Sequence, residues 1–276
     1  MIVRRRIARI MLIALLIIAG FAALLLGLIW WGQERLVFFP QFAPSGDIAG
    51  LTQIDYSAAD GQKLFAYVVG NVDDYRGALL CFHGNADIAA VQAAWATEVS
   101  ARTGYAVVLA EYRGYAGLDG TPTYAGTRLD AEAAYAAVRS QLGVDPARIA
   151  FFGHSLGSAV AAELALRHEP SALLLQAPFT SAREMARHVI TPVFAAAFGL
   201  ISRVHFDTRG AVTSIDAPVW VVHGTADGVI GVEMGRKVFA AARNKGELLI
   251  VEHASHNDLA GLGGDAYWRW LERALK

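Results

Sequence analysis

Short apolar runs alternate with longer mixed segments from Leu51 to the end of the chain. The apolar runs have the length and composition of buried strands, and the segments between them are typical of helices. Strands that alternate with helices predict right-handed crossovers and an α/β fold, with a mostly parallel central sheet covered by helices on both faces. The predicted strands are Leu51–Ser57, Lys63–Val69, Gly77–Phe82, Tyr105–Ala110, Arg148–Phe152, Ala172–Leu175, Pro218–Val222 and Glu247–Val251, and the predicted helices cover about 88–101, 123–141, 158–167, 232–242 and 265–274.

The first two predicted strands form a hairpin. Leu51–Ser57 and Lys63–Val69 flank the turn sequence Ala59-Asp60-Gly61. This hairpin is expected to add an antiparallel edge to the sheet.

One insertion, at about residues 181–216, interrupts the alternation and is expected to form a short helical cap. Within it, Val193–Ile201 is too apolar for a loop that faces solvent. The segment is interpreted either as a buried cap helix or as a lid that lines an acyl pocket or touches a bilayer. The lid is slightly favoured, although both interpretations involve the same residues.

The longest apolar run lies near the N-terminus. Ile10–Gly32 is uncharged over about 23 residues, or roughly 34 Å of helix, which is enough to cross a hydrocarbon core of about 30 Å. Trp30 and Trp31 end the run where an aromatic belt is expected. A cleavable signal peptide is the alternative, but its apolar region is usually only about 7–15 residues long. We therefore predict a retained anchor in residues 1–33 and a globular domain in residues 34–276.

The distribution of positive charge predicts the orientation of this anchor. Four arginines precede the apolar run and only Arg35 closely follows it. The positive-inside rule then places the N-terminus in the cytoplasm and the domain on the periplasmic, extracellular or lumenal side. Between anchor and domain, Leu36–Pro44 is an aromatic linker that lies either along the headgroups or against the domain.

Composition narrows the possible partners and cofactors. Hydrophobic residues make up 55% of the chain, and its formal net charge is −1. No basic stripe lies beyond the first residues, so nucleic acid is not expected as a partner. Cys81 is the single cysteine, which rules out an intrachain disulfide and a cysteine metal cluster. Without a metal-ligand spacing or a nucleotide-binding motif, neither a metal nor a cofactor is expected.

The pentapeptide Gly153-His154-Ser155-Leu156-Gly157 lies between a predicted strand and a predicted helix. In that context a G-x-S-x-G sequence forms a sharp turn that holds the serine hydroxyl above the edge of the sheet. The pentapeptide alone is weak support, since Ser155 could simply be the N-cap of the following helix.

The ends of other strands provide the partners that a nucleophilic serine needs. Active-site loops gather at the carboxyl ends of parallel strands, and there the chain carries Ser155, Asp227 and His256 in that order. An imidazole must take the proton of the serine, and a carboxylate must orient the imidazole. These three residues are therefore the predicted catalytic set.

Each partner has competitors. His253 is expected to end a strand and His223 to lie in the turn before Asp227, so both are interpreted as structural. Asp258 is an alternative acid, although neighbouring residues such as Asp258 and His256 rarely direct their side chains at each other. Asp227 could also cap the helix that follows it.

An oxyanion hole is expected from two backbone N–H groups. Leu156 follows the nucleophile, and Asn85 lies in the loop after His83-Gly84. Loss of one such donor can slow acyl transfer by about a hundredfold or more.

With these motifs, the chain resembles the α/β-hydrolases of the Bem46-like group, which includes membrane-anchored serine hydrolases of the α/β-hydrolase-domain type. Two departures are Glu111, where an aspartate is usual, and Gly231, where a proline is common. The matching segments are His83-Gly84-Asn85-Ala86, Glu111-Tyr112-Arg113-Gly114-Tyr115, Gly153–Gly157, Ala177-Pro178-Phe179-Thr180-Ser181, His223-Gly224-Thr225-Ala226-Asp227 and His256-Asn257-Asp258.

The resemblance implies an α/β-hydrolase fold with catalytic roles at Ser155, Asp227 and His256. It also implies that the substrate is a small acyl ester or thioester of lipid-like character, and that the chain has one N-terminal span in membrane lipid. A peptidase or amidase of the same fold is the alternative enzyme. A catalytically silent, membrane-tethered binding domain is the alternative from another class.

Overall fold

The computed structural model describes residues 2–41, 51–70, 75–189 and 201–276. Their strands form one sheet of eight in the order β1-β2-β4-β3-β5-β6-β7-β8. The strands are β1 Thr52–Ser57, β2 Lys63–Val69, β3 Gly77–Phe82, β4 Tyr105–Ala110, β5 Ile149–His154, β6 Leu173–Gln176, β7 Val219–Gly224 and β8 Lys245–Val251. The helices are α1 Ile2–Val37, α2 Ala93–Thr103, α3 Tyr124–Gln141, α4 Leu156–Ala165, α5 Ala182–Val189, α6 Thr208–Ala211, α7 Val232–Ala241 and α8 Leu259–Ala274.

The predicted α/β fold is confirmed. Strands β3 to β8 are parallel to one another, whereas β2 is antiparallel to both β1 and β4. The β1–β2 hairpin therefore forms the antiparallel edge that was predicted.

Burial on both faces explains the continuous apolar runs of the central strands. Every residue of β3, β4 and β5 is buried. Leu80 and Phe151 belong to the core on one face, and Cys81 and Phe152 to the core on the other. Parallel strands covered by helices on both sides need apolar residues at successive positions, without the alternation of a half-exposed sheet.

Two of the site-bearing strands extend further than the apolar runs indicate. Strand β5 includes His154, which pairs with Gln176, and β7 includes His223 and Gly224, which pair with β8. His223 is thus a strand residue, and the prediction that it lies in the turn was wrong. The prediction that His253 ends its strand was also wrong, because β8 stops at Val251 and His253 has a positive φ of 62°.

Helix α8 begins six residues before the predicted start at residue 265. It runs from Leu259 and contains a kink at Gly264, which has φ 48° and ψ −133°. A run of glycines precedes the kink, and their low helix propensity concealed the first turns in the sequence.

Helix α1 covers the predicted anchor and continues beyond it to Val37. Its segment Arg5–Arg35 is long and apolar enough to cross a membrane, with a mean hydropathy of 3.0. At its end the helix contacts the domain: Gln33 is fully buried, and Glu34 pairs with Arg203 at 2.8 Å. The described part of the linker lies against the domain, because Phe38 is buried and packs edge-on against Phe206.

The predicted cap is described only in part. Helices α5 and α6 lie within it. Most of the apolar run Val193–Ile201 lies outside the described residues, so the choice between a buried helix and a lid stays a prediction.

Candidate active site

Ser155 occupies a strained turn between β5 and α4. Its φ of 54° and ψ of −116° are rare for a residue with a side chain, and such conformations cost on the order of 1–3 kcal/mol. A Cβ atom on Gly153 would overlap the backbone of Gly157, and one on Gly157 would overlap the carbonyl of Phe82. The two glycines of the pentapeptide are therefore required by the close approach of strand and helix.

The side chain of Ser155 does not cap the helix. Although Ser155 precedes α4, its hydroxyl makes no capping hydrogen bond. The interpretation of Ser155 as an ordinary N-cap therefore fails on geometry. Ser155 lines a cavity that is also lined by His256.

Asp227 and His256 form a hydrogen-bonded pair. The Nδ1 atom of His256 lies 2.7 Å from Oδ2 of Asp227. The other carboxylate oxygen accepts the backbone N–H groups of Val229 at 2.9 Å and Ile230 at 2.8 Å. His223 Nε2 lies 3.3 Å from the same carboxylate and donates to the carbonyl of Ile230 at 2.8 Å. Asp227 is thus fixed by its loop as well as by the two histidines.

These contacts keep Asp227 ionised. Burial by itself would raise the pKa of its carboxyl group, but the hydrogen bonds from His223, His256 and the backbone of Ile230 hold that pKa well below its ordinary value. A carboxylate that accepts several N–H groups is stabilised in its charged form. Asp227 therefore faces His256 as an anion at neutral pH.

One of the two ring nitrogens of His256 is free to accept a proton. Since Nδ1 binds Asp227, Nε2 is the atom that can take a proton, and it has no hydrogen-bond partner in the part of the chain that the structure describes. Ser155 Oγ and His256 line one cavity, but they are not hydrogen-bonded to each other among the described residues. In unliganded active sites such contacts are often long and shorten when substrate binds.

The two predicted oxyanion donors belong to segments that adjoin Ser155. Leu156 is the first residue of α4, so its N–H has no acceptor within the helix. The loop that carries Asn85 passes beside the serine, since a Cβ atom on Gly84 would come within 3.3 Å of Ser155 Cβ. Asn85, Ser155 and His256 all line the cavity.

The loop that carries Asn85 is supported by a buried ion pair between His83 and Glu111. Nε2 of His83 lies 2.7 Å from Oε1 of Glu111, and its Nδ1 donates to the carbonyl of Gly84 at 2.8 Å. Both ring nitrogens face acceptors, an arrangement that favours the protonated imidazolium. Burial would lower the pKa of His83, but the charge and hydrogen bond of Glu111 raise it above the ordinary value. Glu111, which stands where an aspartate is usual in the group that the chain resembles, thus serves as the partner of His83.

His154 holds the loop of His256. Its Nε2 donates to the backbone carbonyl of His256 at 3.2 Å, and the two rings are 5.0 Å apart. Burial, together with the neighbouring His256, lowers the pKa of His154 to about 4. The ring is therefore neutral at pH 7 and acts as a support for His256.

Arg113 and Tyr115, from the same segment as Glu111, have structural contacts. Arg113 binds Asp130 at 2.7 Å and Asp60 at 2.6 Å. The hydroxyl of Tyr115 donates to the side chain of Asn85 at 2.8 Å. Arg113 does not line the cavity, and Tyr115 acts on it through Asn85.

The cavity has a volume of about 710 Å³ and a mainly apolar wall. Gln176 was not predicted as a site residue, although it directly follows the apolar residues of β6 at the carboxyl edge of the sheet. Four aromatic residues of the cavity wall were also not predicted, because nothing in their local sequence distinguishes them from core or linker residues. They are Phe39, Trp95, Phe152 and Tyr267. The residues with apolar surface in the wall include Phe39, Val91, Trp95, Phe152, Val229 and Tyr267.

The described residues contain no group of three or more metal-ligating side chains. The cavity region brings together a hydroxyl, an imidazole with its carboxylate partner, and backbone N–H groups. Such a set suits nucleophilic acyl transfer.

The fold and this arrangement define a class of protein, and comparison with known proteins agrees. The sequence profile of the hydrolase family described as serine aminopeptidase, S33 matches residues 73–210, half of the chain. The esterase Pf2001 of Pyrococcus furiosus superimposes with a TM-score of 0.67 over 86% of this chain and 99% of its own, at 17% identity, which concerns the fold alone. The chain belongs to the α/β-hydrolase superfamily.

Closer relatives extend the similarity along the sequence. Protein MT2364 of Mycobacterium tuberculosis is 34% identical over 264 residues, which are 92% of this chain and 92% of that protein. The human α/β hydrolase domain-containing protein 17B is 31% identical over 196 residues, 71% of this chain and 64% of its own. The similarity to MT2364 therefore extends well beyond the family profile.

Proposed function

We propose that the protein is a membrane-anchored serine hydrolase that cleaves carboxylic esters or thioesters of lipid-like acyl groups. Ser155 is the nucleophile, His256 the general base and Asp227 the residue that orients it. The observation that carries the proposal is the Asp227–His256 pair at 2.7 Å, because its histidine lines the same cavity as the strained serine.

The reaction follows from the placement of these groups. Ser155 Oγ attacks the carbonyl carbon of the substrate while His256 Nε2 takes its proton. The backbone N–H groups of Asn85 and Leu156 stabilise the oxyanion. When the tetrahedral intermediate collapses, His256 returns the proton to the leaving alcohol or thiol, and an acyl group stays on Ser155. Water then repeats the sequence, which releases the acid and regenerates the serine.

The wall of the cavity supports an acyl substrate. Its aromatic and aliphatic side chains can shield a hydrocarbon chain from water, and each buried methylene contributes about 0.8 kcal/mol. A volume of about 710 Å³ also lies within the usual range of small-molecule sites. We therefore expect medium or long acyl chains to be preferred over acetate.

Helix α1 is proposed to anchor the enzyme in the membrane. Its apolar segment is long enough to span a bilayer, and the side chains that the structure describes between Ile10 and Leu28 are exposed. The arginines before the apolar run favour a cytoplasmic N-terminus and a catalytic domain on the other side. Anchoring in this way would keep the cavity close to lipid substrates.

Two other functions remain as alternatives. Amide hydrolysis uses the same serine, imidazole and oxyanion donors, and the matching family is described as a serine aminopeptidase. A silent, membrane-tethered binding domain would not need the Asp227–His256 pair. Activity against peptide amides and against esters separates the two enzymatic functions.

The first experiment uses a fluorophosphonate probe on the full-length protein in detergent. We expect labelling of the wild type, none of Ser155→Ala, and unchanged labelling of Ser140→Ala, whose hydroxyl lies on the surface of α3. Equal labelling of Ser155→Ala and wild type would remove Ser155 from its role. An ester and thioester chain-length series, with and without detergent and beside a peptide amide, then defines the substrate class.

A further inference from the structure

The side chain of Asn85 binds the segment that follows the anchor helix. Its Nδ2 donates to the carbonyl of Val37 at 2.6 Å, and its Oδ1 accepts the backbone N–H of Phe39 at 2.8 Å. The hydroxyl of Tyr115 donates to the same Oδ1 at 2.8 Å. One amide group thus bridges two backbone groups at the end of α1, because it has a donor and an acceptor on separate atoms.

The segment is also held from its other side. The carbonyl of Gln41 accepts the backbone N–H of Ala116 at 2.9 Å. Phe38 is buried in the main core, where its ring lies 6.5 Å from that of Phe206. The chain is therefore attached to the domain at four residues, which are Val37, Phe38, Phe39 and Gln41.

Phe39 is turned in the opposite direction from Phe38. Half of its surface is exposed, and it lines the cavity that also contains Ser155 and His256. The hydrogen bond from its backbone N–H to the side chain of Asn85 keeps Phe39 in this position in the wall.

We propose that the end of the anchor helix is part of the active site. Asn85 is a positioning residue that fixes the loop of the oxyanion donor to Val37 and Phe39, and Phe39 is a specificity-determining residue that contacts the acyl chain. This inference rests on the proposed function, since it assigns roles within the same catalytic cavity.

The position of Phe39 along the chain also relates the cavity to the membrane. Phe39 follows Trp31 by eight residues. The helix rises about 9 Å from Trp31 to its end at Val37, and the two residues beyond it add at most about 7 Å, so Phe39 lies at most about 16 Å beyond Trp31. Trp30 and Trp31 are exposed, as is typical of tryptophans at a membrane interface. An acyl chain that enters past Phe39 would therefore approach from the side of the bilayer.

The first test concerns Phe39 and uses the full-length enzyme in detergent micelles with an ester series from acetate to palmitate. Phe39→Ala should lower kcat/KM for the longest esters about tenfold, since it removes apolar contact, and leave acetate within about twofold. Phe39→Trp should shift the preference to shorter chains. The matched control is Leu262→Ala, because Leu262 is exposed and apolar but does not line the cavity. An unchanged chain-length profile in Phe39→Ala would overturn the specificity role.

The second test concerns Asn85 and does not depend on turnover alone. Asn85→Asp keeps the shape but cannot donate to Val37, so we expect faster amide exchange in residues 37–41 and a fall in kcat of about tenfold or more at unchanged KM for acetate. Tyr115→Phe, which removes one contact to Asn85, should have a smaller effect on both. Unchanged exchange and unchanged kcat in Asn85→Asp would overturn the positioning role.

The two proposals fail in different ways. A wild type that hydrolyses no ester or thioester would reject the proposed function and with it the specificity role of Phe39. The exchange measurement would still decide whether Asn85 holds the anchor segment to its loop.

Discussion

Nδ1 of His256 lies 2.7 Å from Oδ2 of Asp227, and the same carboxylate accepts two backbone N–H groups of its own loop. Asp227 cannot rotate away without losing these bonds, so it sets the tautomer of the imidazole. The proton stays on Nδ1, and Nε2 is left as the basic nitrogen on the cavity side.

Replacing this carboxylate tests the assignment of the acid. Asp227→Asn should lower kcat by about 10³–10⁴-fold, because an amide can donate to Nδ1 and so stabilises the wrong tautomer. The measurement is the turnover of a short ester by the full-length protein. The matched control is Asp258→Asn, since Asp258 is the other acid near His256. A larger loss in Asp258→Asn than in Asp227→Asn would show that the acid has been misassigned.

The buried His154 predicts a pH effect on stability. Its pKa is lowered from 6.5 to about 4 by burial and then by His256, so the unfolded chain binds this proton more readily than the folded one. Stability from this group is full above pH 6.5 and falls as the pH drops toward 4, by a total on the order of 3 kcal/mol.

Melting curves in detergent at pH 7 and pH 4.5 measure this effect. In His154→Gln, which keeps a donor for the His256 carbonyl, the difference in Tm between the two pH values should become smaller than in the wild type. An equal pH response in both proteins would show that His154 is protonated or exposed in the folded state.

The pair of His83 and Glu111 predicts the opposite pH dependence. The pKa of His83 is raised in the folded protein, so its contribution is full below the ordinary pKa and is lost as the pH rises through the raised value. Glu111→Gln should lower stability by about 3–5 kcal/mol at pH 6, because it leaves a buried imidazolium without its counter-charge. The difference in stability between Glu111→Gln and the wild type should become smaller at higher pH, because His83 loses its charge there.

Chemical denaturation of wild type and Glu111→Gln across pH 6 to 9 tests this prediction. The stability contribution of His83 is lost at pH values above the ordinary histidine pKa, and that of His154 is lost at pH values below it. The two effects can therefore be measured separately. A deficit that is constant with pH would mean that His83 is neutral in the folded protein.

The single cysteine provides a test of membrane orientation. Cys81 is buried in β3, so an exposed cysteine introduced elsewhere is the accessible thiol. We expect a membrane-impermeant maleimide to label Ser140→Cys in intact cells, and to label Arg5→Cys only after the membrane is opened. Labelling with the reverse pattern would place the catalytic domain in the cytoplasm, and release of the protein by alkaline carbonate would argue for a cleaved signal.

Fold and candidate site were predictable to different degrees. The apolar runs predicted β2, β3 and β4 to the residue, because continuous burial on both faces leaves a clear pattern. The ends of β5 and β7 were underestimated, since His154, His223 and Gly224 are polar or small and are held in the sheet by pairing with neighbouring strands. Pairing with a neighbouring strand cannot be predicted from local composition, so these strand ends were not predicted.

The same limit applies to the site. Ser155, Asp227 and His256 follow strands, so chain order alone placed them at one edge of the sheet. The contribution of Phe39 depends on a contact between residues that are 46 positions apart, and the sequence left the linker open between the headgroups and the domain. The role of His154 as a support for His256 likewise depends on a loop 102 residues away.

Helix α1 enters the domain without a flexible tether, since it runs unbroken to Val37 and its last turns are hydrogen-bonded to Arg203 and Asn85. In a bilayer, a change in the tilt of that helix would change the orientation of the catalytic cavity relative to the membrane by the same angle. Helices tilt to match the thickness of the hydrocarbon layer, so lipid chain length in the host membrane would set the angle at which the cavity meets its surface.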